Sequence, residues 1–241
     1  MKSAIVFLGF LAVSSAVKWN VTDTTKSTTC IVLEASSVVF KLNVMNTQNE
    51  TVPITVNIND TAIPATGNCF DSRFGEPAQS LVVKFFPENR TAVTAKDPWV
   101  MSLWFATNEK QGVAFKLVDY ELKIFESALF NNTEETFNKS TTAELDVQAE
   151  EKNGFKCSTS GLALTSESTI ELKDVRVIAQ AALPSPDFPK EQTFEQCLLD
   201  TRTSDVVPIV VGACLAGLVV IVLVAYLIGR ARAKRQGYAS V

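Results

Sequence analysis

The feature that most constrains this chain is an uncharged apolar run near its carboxyl end. Val206–Ile228 is 23 residues long and contains no charged residue. As a helix it would measure about 34 Å, which is enough to cross a hydrocarbon core of roughly 30 Å. Four basic residues follow, at Arg230, Arg232, Lys234 and Arg235. Basic residues beside a span stay in the cytosol, so the pattern predicts a transmembrane helix at 206–229 and a cytosolic tail at 230–241.

A second apolar stretch lies at the amino end and is too short to cross a bilayer. Lys2 precedes the apolar residues 4–13, and Ser14 and Ala16 place small residues at the −3 and −1 positions of a cleavage site. We interpret 1–16 as a secretory signal peptide, with a short membrane anchor as the alternative. Together the two segments predict type I topology, with residues 17–205 in a lumen or outside the cell.

Charge is distributed unevenly along the chain. All 26 acidic residues lie within 17–205, which holds only 17 basic residues. An acidic segment of this kind has no electrostatic footprint for nucleic acid.

The chain contains no histidine. This removes the usual general base, the Ser-His-Asp and Cys-His arrangements, and most transition-metal sites. Two adjacent acid pairs, Glu134-Glu135 and Glu150-Glu151, lie in polar stretches where a solvated role is the simpler interpretation. We therefore expect no enzyme, no cofactor and no metal site. The missing histidine also predicts that the lumenal segment changes its charge little between pH 7 and pH 5.

The lumenal segment has mostly a periodicity of two, which is typical of β-strands. The pattern predicts an all-β domain of two packed sheets or a β-prism, followed by the single transmembrane α-helix. Turn signals occur at 66–68 and 87–89, and no long linker divides 17–205, so we expect one domain. The predicted strands lie at 31–33, 38–44, 54–58, 81–86, 99–105, 113–125 and 170–178.

Four cysteines fall in the lumenal segment: Cys30, Cys69, Cys157 and Cys197. An even number after a signal peptide indicates disulfides in an oxidising compartment. Of the three possible connectivities, pairing in sequence order is favoured, because it closes two loops of nearly equal length. Free thiols or a metal site are the alternatives, and Cys214 lies inside the span as a lipid-facing or packing residue.

Six Asn-x-Ser/Thr triplets lie on the lumenal side, and none has proline in the middle. They predict a heavily glycosylated surface, with most of the sites in use. The acceptor residues are Asn20, Asn49, Asn59, Asn89, Asn131 and Asn138.

Two short patterns occupy the span and the tail. Gly212 with Ala216, and Ala213 with Gly217, place small residues four positions apart, which permits close helix–helix approach. In the ending GYASV, Gly237 precedes Tyr238, and Val241 follows three positions after the tyrosine. A tyrosine and an aliphatic residue at this spacing fit a signal that the medium subunits of clathrin adaptors bind. The alternative is a basic tail that contacts anionic lipid, and the two are compatible.

The span, the basic flank and the ending resemble those of the lysosome-associated membrane glycoproteins. The resemblance is closest in PIVVGACLAGLVVIVLVAYLIGRARAKRQGYASV and extends to FKCSTSGLALT and VRVIAQA before it. It implies a β-prism lumenal domain with cysteines paired in sequence order. Larger members of the family have two such domains joined by a hinge, whereas this sequence predicts one.

The resemblance implies a glycoprotein of the lysosomal and late-endosomal membrane that transits the cell surface. Its glycan coat would protect the limiting membrane and support lysosome integrity, fusion and autophagy. Two alternatives stay open: an endosomal sorting chaperone for another membrane protein, and a cell-surface adhesion or endocytic receptor.

Overall fold

The computed structural model describes most of the chain. The described residues are 16–46, 48–58, 63–87, 98–108, 113–125, 134–143, 147–150, 153–201 and 206–237. They fall into two compact units that divide between Asp200 and Thr201. The amino-terminal unit is built mainly of strands, and the second contains a single long helix.

Thirteen strands and two helices are found in the described residues. The strands are β1 (Val17–Asp23), β2 (Thr28–Ala35), β3 (Ser37–Met45), β4 (Thr51–Ile58), β5 (Ala65–Arg73), β6 (Glu76–Phe85), β7 (Trp99–Asn108), β8 (Val113–Phe125), β9 (Glu134–Asn138), β10 (Gln148–Glu150), β11 (Gly154–Ala163), β12 (Thr169–Ile178) and β13 (Phe194–Gln196). The helices are α1 (Leu198–Thr201) and α2 (Val206–Gly237).

The first sheet has the order β1-β2-β12-β11-β13, and β3 and β4 extend it beside the first half of β12. β12 pairs with β3 over Thr169–Lys173 and with β2 over Arg176–Ile178. The break between β2 and β3 is at Ser36, whose backbone N–H donates to Lys173 O at 2.9 Å and whose hydroxyl donates to Asp174 Oδ2 at 2.7 Å. β2 and β3 therefore act as one long bent strand.

The second sheet has the order β10-β8-β7-β6-β5, with β9 beside the far end of β8. Its strand pairs are antiparallel, as are those of the first sheet apart from the parallel pair β11–β13. The expectation of an all-β domain of two sheets followed by one apolar helix is confirmed.

The core lies between the two sheets and is rich in aromatic residues. Phe40 of the first sheet stacks on Phe85 of the second with ring centroids 5.1 Å apart, and Phe85 meets Trp99 edge-on at 6.1 Å. Trp19, Phe40 and Phe85 are at most 2% exposed. Aromatic residues bury large apolar areas, so these rings fix how the two sheets face each other.

A segment without regular strands, residues 179–193, covers part of the outer face of the first sheet. Its Leu183 exchanges two backbone hydrogen bonds with Thr29, at 2.8 and 2.9 Å. Its Phe188 ring lies 5.2 Å from the Arg176 guanidinium carbon. Val32 alternates with core residues and so points away from the core, yet it is fully buried. This segment, which we call the strap, gives the first sheet a covering on both faces over part of its width.

The predicted turn at 66–68 is wrong. Thr66, Gly67 and Asn68 lie inside β5 and pair with Val82, Leu81 and Ser80. A Cβ at Gly67 would overlap the Ser80 carbonyl and the Val21 side chain. The glycine is needed here for the close approach of neighbouring backbone, and not for a turn. The turn predicted at 87–89 lies largely outside the described residues.

Candidate functional surface and membrane helix

Three of the six sequons fall on described residues, and all three are on the surface of the lumenal unit. Asn20 is half-buried on β1, on the side opposite the core residues Trp19 and Val21. Asn49 and Asn138 are exposed. Asn59, Asn89 and Asn131 lie outside the described residues.

Asn49 occupies the turn between β3 and β4. Its φ is +62°, in the left-handed region that asparagine tolerates better than most residues. The side-chain oxygen of Asn46 accepts hydrogen bonds from the backbone N–H groups of Gln48 and Glu50, both at 2.8 Å. The turn is thus held by Asn46, and the exposed side chain of Asn49 is directed to solvent.

Asn138 ends β9 and is fixed by its backbone. Its N–H donates to Thr165 Oγ1 at 3.2 Å, and its carbonyl accepts from the Thr165 N–H at 2.8 Å. The backbone is anchored while the side chain is exposed, which is a suitable geometry for an attached glycan.

Both disulfides connect cysteines in sequence order. Cys30–Cys69 joins β2 of the first sheet to β5 of the second, and Cys157–Cys197 joins β11 to the residue after β13. The loops span 39 and 40 residues. The first bond links the two sheets, and the second holds the end of the lumenal unit against the first sheet.

One cluster resembles a metal site by distance alone. The ligand atoms of Cys157, Cys197 and Asp200 lie within 4.8 Å of one another. Both sulfurs are used in the disulfide, so neither is a thiolate. Asp200 Oδ2 instead accepts hydrogen bonds from the Ser158 N–H at 2.8 Å and the Ser158 hydroxyl at 3.0 Å. The disulfide and the Asp200 hydrogen bonds therefore tie the last residues of the lumenal unit to β11.

The sequence does not predict the ionic cluster on the outer face of the second sheet. Arg73 Nε donates to Asp119 Oδ2 at 2.5 Å, and Arg73 Nη2 lies 3.4 Å from Glu121 Oε2. The guanidinium carbon is 3.9 Å from the centroid of the Trp104 ring. Asp119 and Glu121 alternate with apolar residues along β8, which places them on one face, but nothing in the sequence identifies Arg73 as their partner.

The acid pairs noted in the sequence behave differently from each other. In β9, Glu134 is exposed and Glu135 is half-buried, and burial raises the pKa of the Glu135 carboxyl. Glu150 is exposed in β10, and Glu151 lies outside the described residues. Asp119 and Glu121 do come together: Arg73 pairs with both carboxylates, and Lys123 Nζ also lies 3.9 Å from Glu121 Oε1.

Helix α2 contains a stretch that is long and apolar enough to cross a membrane, Ile209–Arg230. The helix continues to Gly237, beyond the predicted end of the span at 229. Cys214 is exposed on it, and a Cβ at Gly212 or Gly217 would meet nothing within 4 Å. Gly237 is the last helical residue, and Tyr238 and Val241 lie outside the described residues.

Comparisons with known proteins identify the family. Residues 207–239 match the family model described as the transmembrane segment of lysosome-associated membrane glycoprotein 2. Lysosome-associated membrane glycoprotein 1 of Bos taurus is 31% identical over 215 residues, which are 88% of this chain and 46% of the relative. The Rattus norvegicus protein of the same name is 31% identical over 229 residues, 94% of this chain and 49% of the relative.

The chain belongs to the lysosome-associated membrane glycoprotein family. It spans about half the length of the curated relatives it matches. It is thus a membrane glycoprotein of this family with a lumenal domain and a transmembrane segment.

Solved structures of the family share the lumenal fold. The membrane-proximal domain of mouse lysosome-associated membrane protein 1 matches with a TM-score of 0.56 and 19% identity, over 77% of this chain and 98% of the domain. The membrane-distal domain of mouse lysosome-associated membrane protein 2 matches with a TM-score of 0.51 and 17% identity, over 76% and 99%. Both likenesses concern the fold alone.

Proposed function

We propose that this family member is a non-catalytic type I glycoprotein of the lysosomal and late-endosomal limiting membrane. The observation that carries the proposal is that a disulfide-closed lumenal domain of the family fold and the family's transmembrane segment lie in one chain. The relatives are named as lysosome-associated membrane glycoproteins, which supports this location.

The lumenal domain would contribute to a glycan coat that shields the membrane. The three described sequons support this, because each lies at the surface and two are on exposed, backbone-anchored positions. Attached glycans are bulky and solubilising. A coat of this kind would support lysosome integrity and, through it, fusion and autophagy.

Sorting would depend on the tail. Tyr238 and Val241 have the spacing that clathrin adaptor medium subunits bind, and Gly237 precedes them. The four basic residues before them would contact anionic lipid headgroups of the cytosolic leaflet. The small residues of the span would let it pack closely against a second copy or another membrane protein. These residues are Gly212, Ala213, Ala216 and Gly217. If clathrin adaptors bind the Tyr238–Val241 signal at the plasma membrane, the protein would pass through the cell surface on its way to the lysosome.

The test is the steady-state location of the full-length protein and of Tyr238→Ala, with uptake of an antibody against the lumenal domain followed in living cells. Ser240→Ala is the matched control, because it alters the same tail without removing the aromatic or the aliphatic residue. We expect the wild type and Ser240→Ala in acidic organelles, and Tyr238→Ala at the cell surface.

Other outcomes would select other functions. A surface-dominant pool of all three proteins would favour an adhesion or endocytic receptor. Normal sorting together with one stoichiometric membrane partner would favour a sorting chaperone. The absence of any mobility shift on treatment with an N-glycosidase would contradict the coat.

A further inference from the structure

Strand β4 forms an open edge of the first sheet. Within the described part of the chain it pairs with β3 and with no other strand. Its burial falls off accordingly: Thr51, Val52, Pro53, Thr55 and Asn57 are exposed. An edge strand presents unpaired N–H and C=O groups that another strand can use.

The direction of these groups follows from the ladder with β3. The Asn46 N–H donates to Glu50 O at 2.9 Å, which marks a hydrogen-bonded pair at the start of the hairpin. Such pairs alternate along an antiparallel ladder, so the N–H positions of 51, 53, 55 and 57 point away from β3. Consistently, the N–H of Asn43, the partner of Pro53, points to the other side and donates to Ser168 Oγ at 3.0 Å.

The composition of β4 makes this edge a hazard. Its sequence TVPITVNI contains no charged residue and is rich in β-branched residues. Strands of this composition pair readily with copies of themselves, and proteins usually protect them with charge or proline. Pro53 removes one of the four outward N–H positions and leaves those of Thr51, Thr55 and Asn57.

Other outer strands in the described residues are protected differently. β9 carries Glu134 and Glu135 in only five residues, so two copies placed edge to edge would repel. β10 and β13 have three residues each, too short for a stable pairing. β1 and β5 are also end strands of the two sheets, and both carry charge: Lys18 and Asp23 in β1, and Asp71 and Arg73 in β5. Among the described outer strands, β4 therefore has neither a charged residue nor a length too short for pairing.

A sequon stands at each end of β4. Asn49 is exposed two residues before Thr51, and Thr51 itself completes that sequon. In the sequence, Asn59 follows the last residue of β4, Ile58, and is the acceptor of a second sequon with Thr61. A glycan on Asn49 would stand beside the first outward N–H of the edge.

We propose that β4 is a latent self-association edge and that the glycans at its two ends block antiparallel pairing with β4 of a second copy. A second copy is the occupant that the chemistry favours, because two copies of β4 carry no charges that would repel each other. Antiparallel pairing about Ile54 would also place Val52 of one copy opposite Val56 of the other. This proposal rests on the glycan coat proposed above and assigns one part of that coat a defined role.

The experiment compares two matched variants of the full-length glycoprotein in detergent. Thr51→Ala with Thr61→Ala removes both sequons, whereas Thr51→Ser with Thr61→Ser changes the same positions and keeps both. We expect the alanine variant to self-associate at least about tenfold more strongly, since a few cross-strand pairs supply the corresponding free energy. Sedimentation equilibrium measures this, and hydrogen exchange at Thr55 and Asn57 should slow as the protein concentration rises.

Two further variants separate an edge effect from general solubility. Thr55→Lys places a charge on the open edge and should return the alanine variant to the behaviour of the serine variant. Asn20→Gln removes a glycan from β1 and should leave association unchanged. Equal association of the alanine and serine variants, no rescue by Thr55→Lys, or association of Asn20→Gln would each overturn the proposal.

Glycan mapping keeps this proposal distinct from the proposed function. If mass spectrometry finds Asn49 and Asn59 unmodified while the protein is glycosylated elsewhere and reaches acidic organelles, the edge role fails and the coat stands. If Tyr238→Ala sorts normally while the alanine variant associates, sorting fails and the edge role stands.

Discussion

At the scale of single residues, two glycines in strands show how the surrounding atoms determine the effect of an added Cβ on stability. A Cβ at Gly67 would overlap backbone atoms of Ser80, whereas a Cβ at Gly161 in β11 would meet nothing within 4 Å. Glycine in a strand interior has an entropic cost. At Gly161 the space is free, so alanine would remove the entropic cost. At Gly67 the backbone of Ser80 is in the way, so alanine would force β5 and β6 apart.

We therefore predict opposite effects for the two glycine-to-alanine changes. Gly67→Ala should lower the free energy of unfolding by about 2 kcal/mol or more through overpacking. Gly161→Ala should be neutral or stabilise by about 0.5–1 kcal/mol. Denaturant unfolding followed by tryptophan fluorescence measures both, and equal effects of the two changes would contradict the prediction.

Arg73 supplies the second residue-scale prediction. The Asp119 side chain is only 8% exposed and relies on this guanidinium. Arg73→Met keeps an aliphatic stem beside Trp104 and leaves the carboxylate unpaired, so the free energy of unfolding should fall by about 3 kcal/mol. Adding Asp119→Asn should restore most of the loss, because the uncompensated charge is gone. A double variant as unstable as the single one would show that packing, and not charge, is lost.

At the scale of elements, alternation identifies some strands and leaves others unpredicted. β1 alternates clearly and is not among the predicted strands, whereas the predicted strand at 31–33 is buried throughout. β3, β8 and β12 alternate buried and outward side chains over most of their lengths, and this period-two pattern is visible in the sequence. β5 is not predicted from the sequence, because few of its residues are buried and because Gly67 within it resembles a turn signal. β10 and β13 have three residues each, which is below the length at which periodicity can be detected.

The pairing of elements is harder to predict than their existence. β12 divides its pairing between β2 and β3, which lie more than 100 positions away in the sequence. β13 pairs in parallel with β11 from the other side of a long loop. The sequons are predictable as triplets, but their relation to an open edge requires the sheet order. The same holds for Arg73, whose partners lie 46 and 48 positions along the chain.

The disulfides give the element-scale prediction. The two loops are of nearly equal length, 39 and 40 residues, so replacing either pair by alanine should cost a similar 3–4 kcal/mol by the chain-entropy estimate, to within about 1 kcal/mol. Hydrogen exchange should distinguish them. Loss of Cys157–Cys197 should expose the β13 amides locally, whereas loss of Cys30–Cys69 should loosen β5 against β2. The same exchange pattern for both variants would contradict these assignments.

At the scale of the whole molecule, the titratable groups of the described residues favour stability in a moderately acidic lumen. Hydrogen bonds from Thr25 lower the pKa of Asp23, a hydrogen bond from Ser80 lowers that of Asp71, and the Lys41 ammonium lowers that of Glu171. Each contributes stability that is present above its unfolded pKa, near 3.8 for aspartate and 4.5 for glutamate. That stability is lost only as the pH falls through the lowered folded value.

Glu135 acts in the opposite direction, because burial raises the pKa of its carboxyl. Its ionised form costs stability at neutral pH, and this cost disappears as the pH falls through the raised value. With no histidine in the chain, we predict that the unfolding temperature varies little from pH 7 to pH 5, by less than about 4 °C, and declines below about pH 4. Glu135→Gln should raise the unfolding temperature at pH 7 more than at pH 4, because only the ionised carboxylate is penalised by burial. Thermal unfolding of both proteins across this range measures the difference, and a steep loss of wild-type stability between pH 7 and pH 5 would mean that groups other than these carboxylates control the fold.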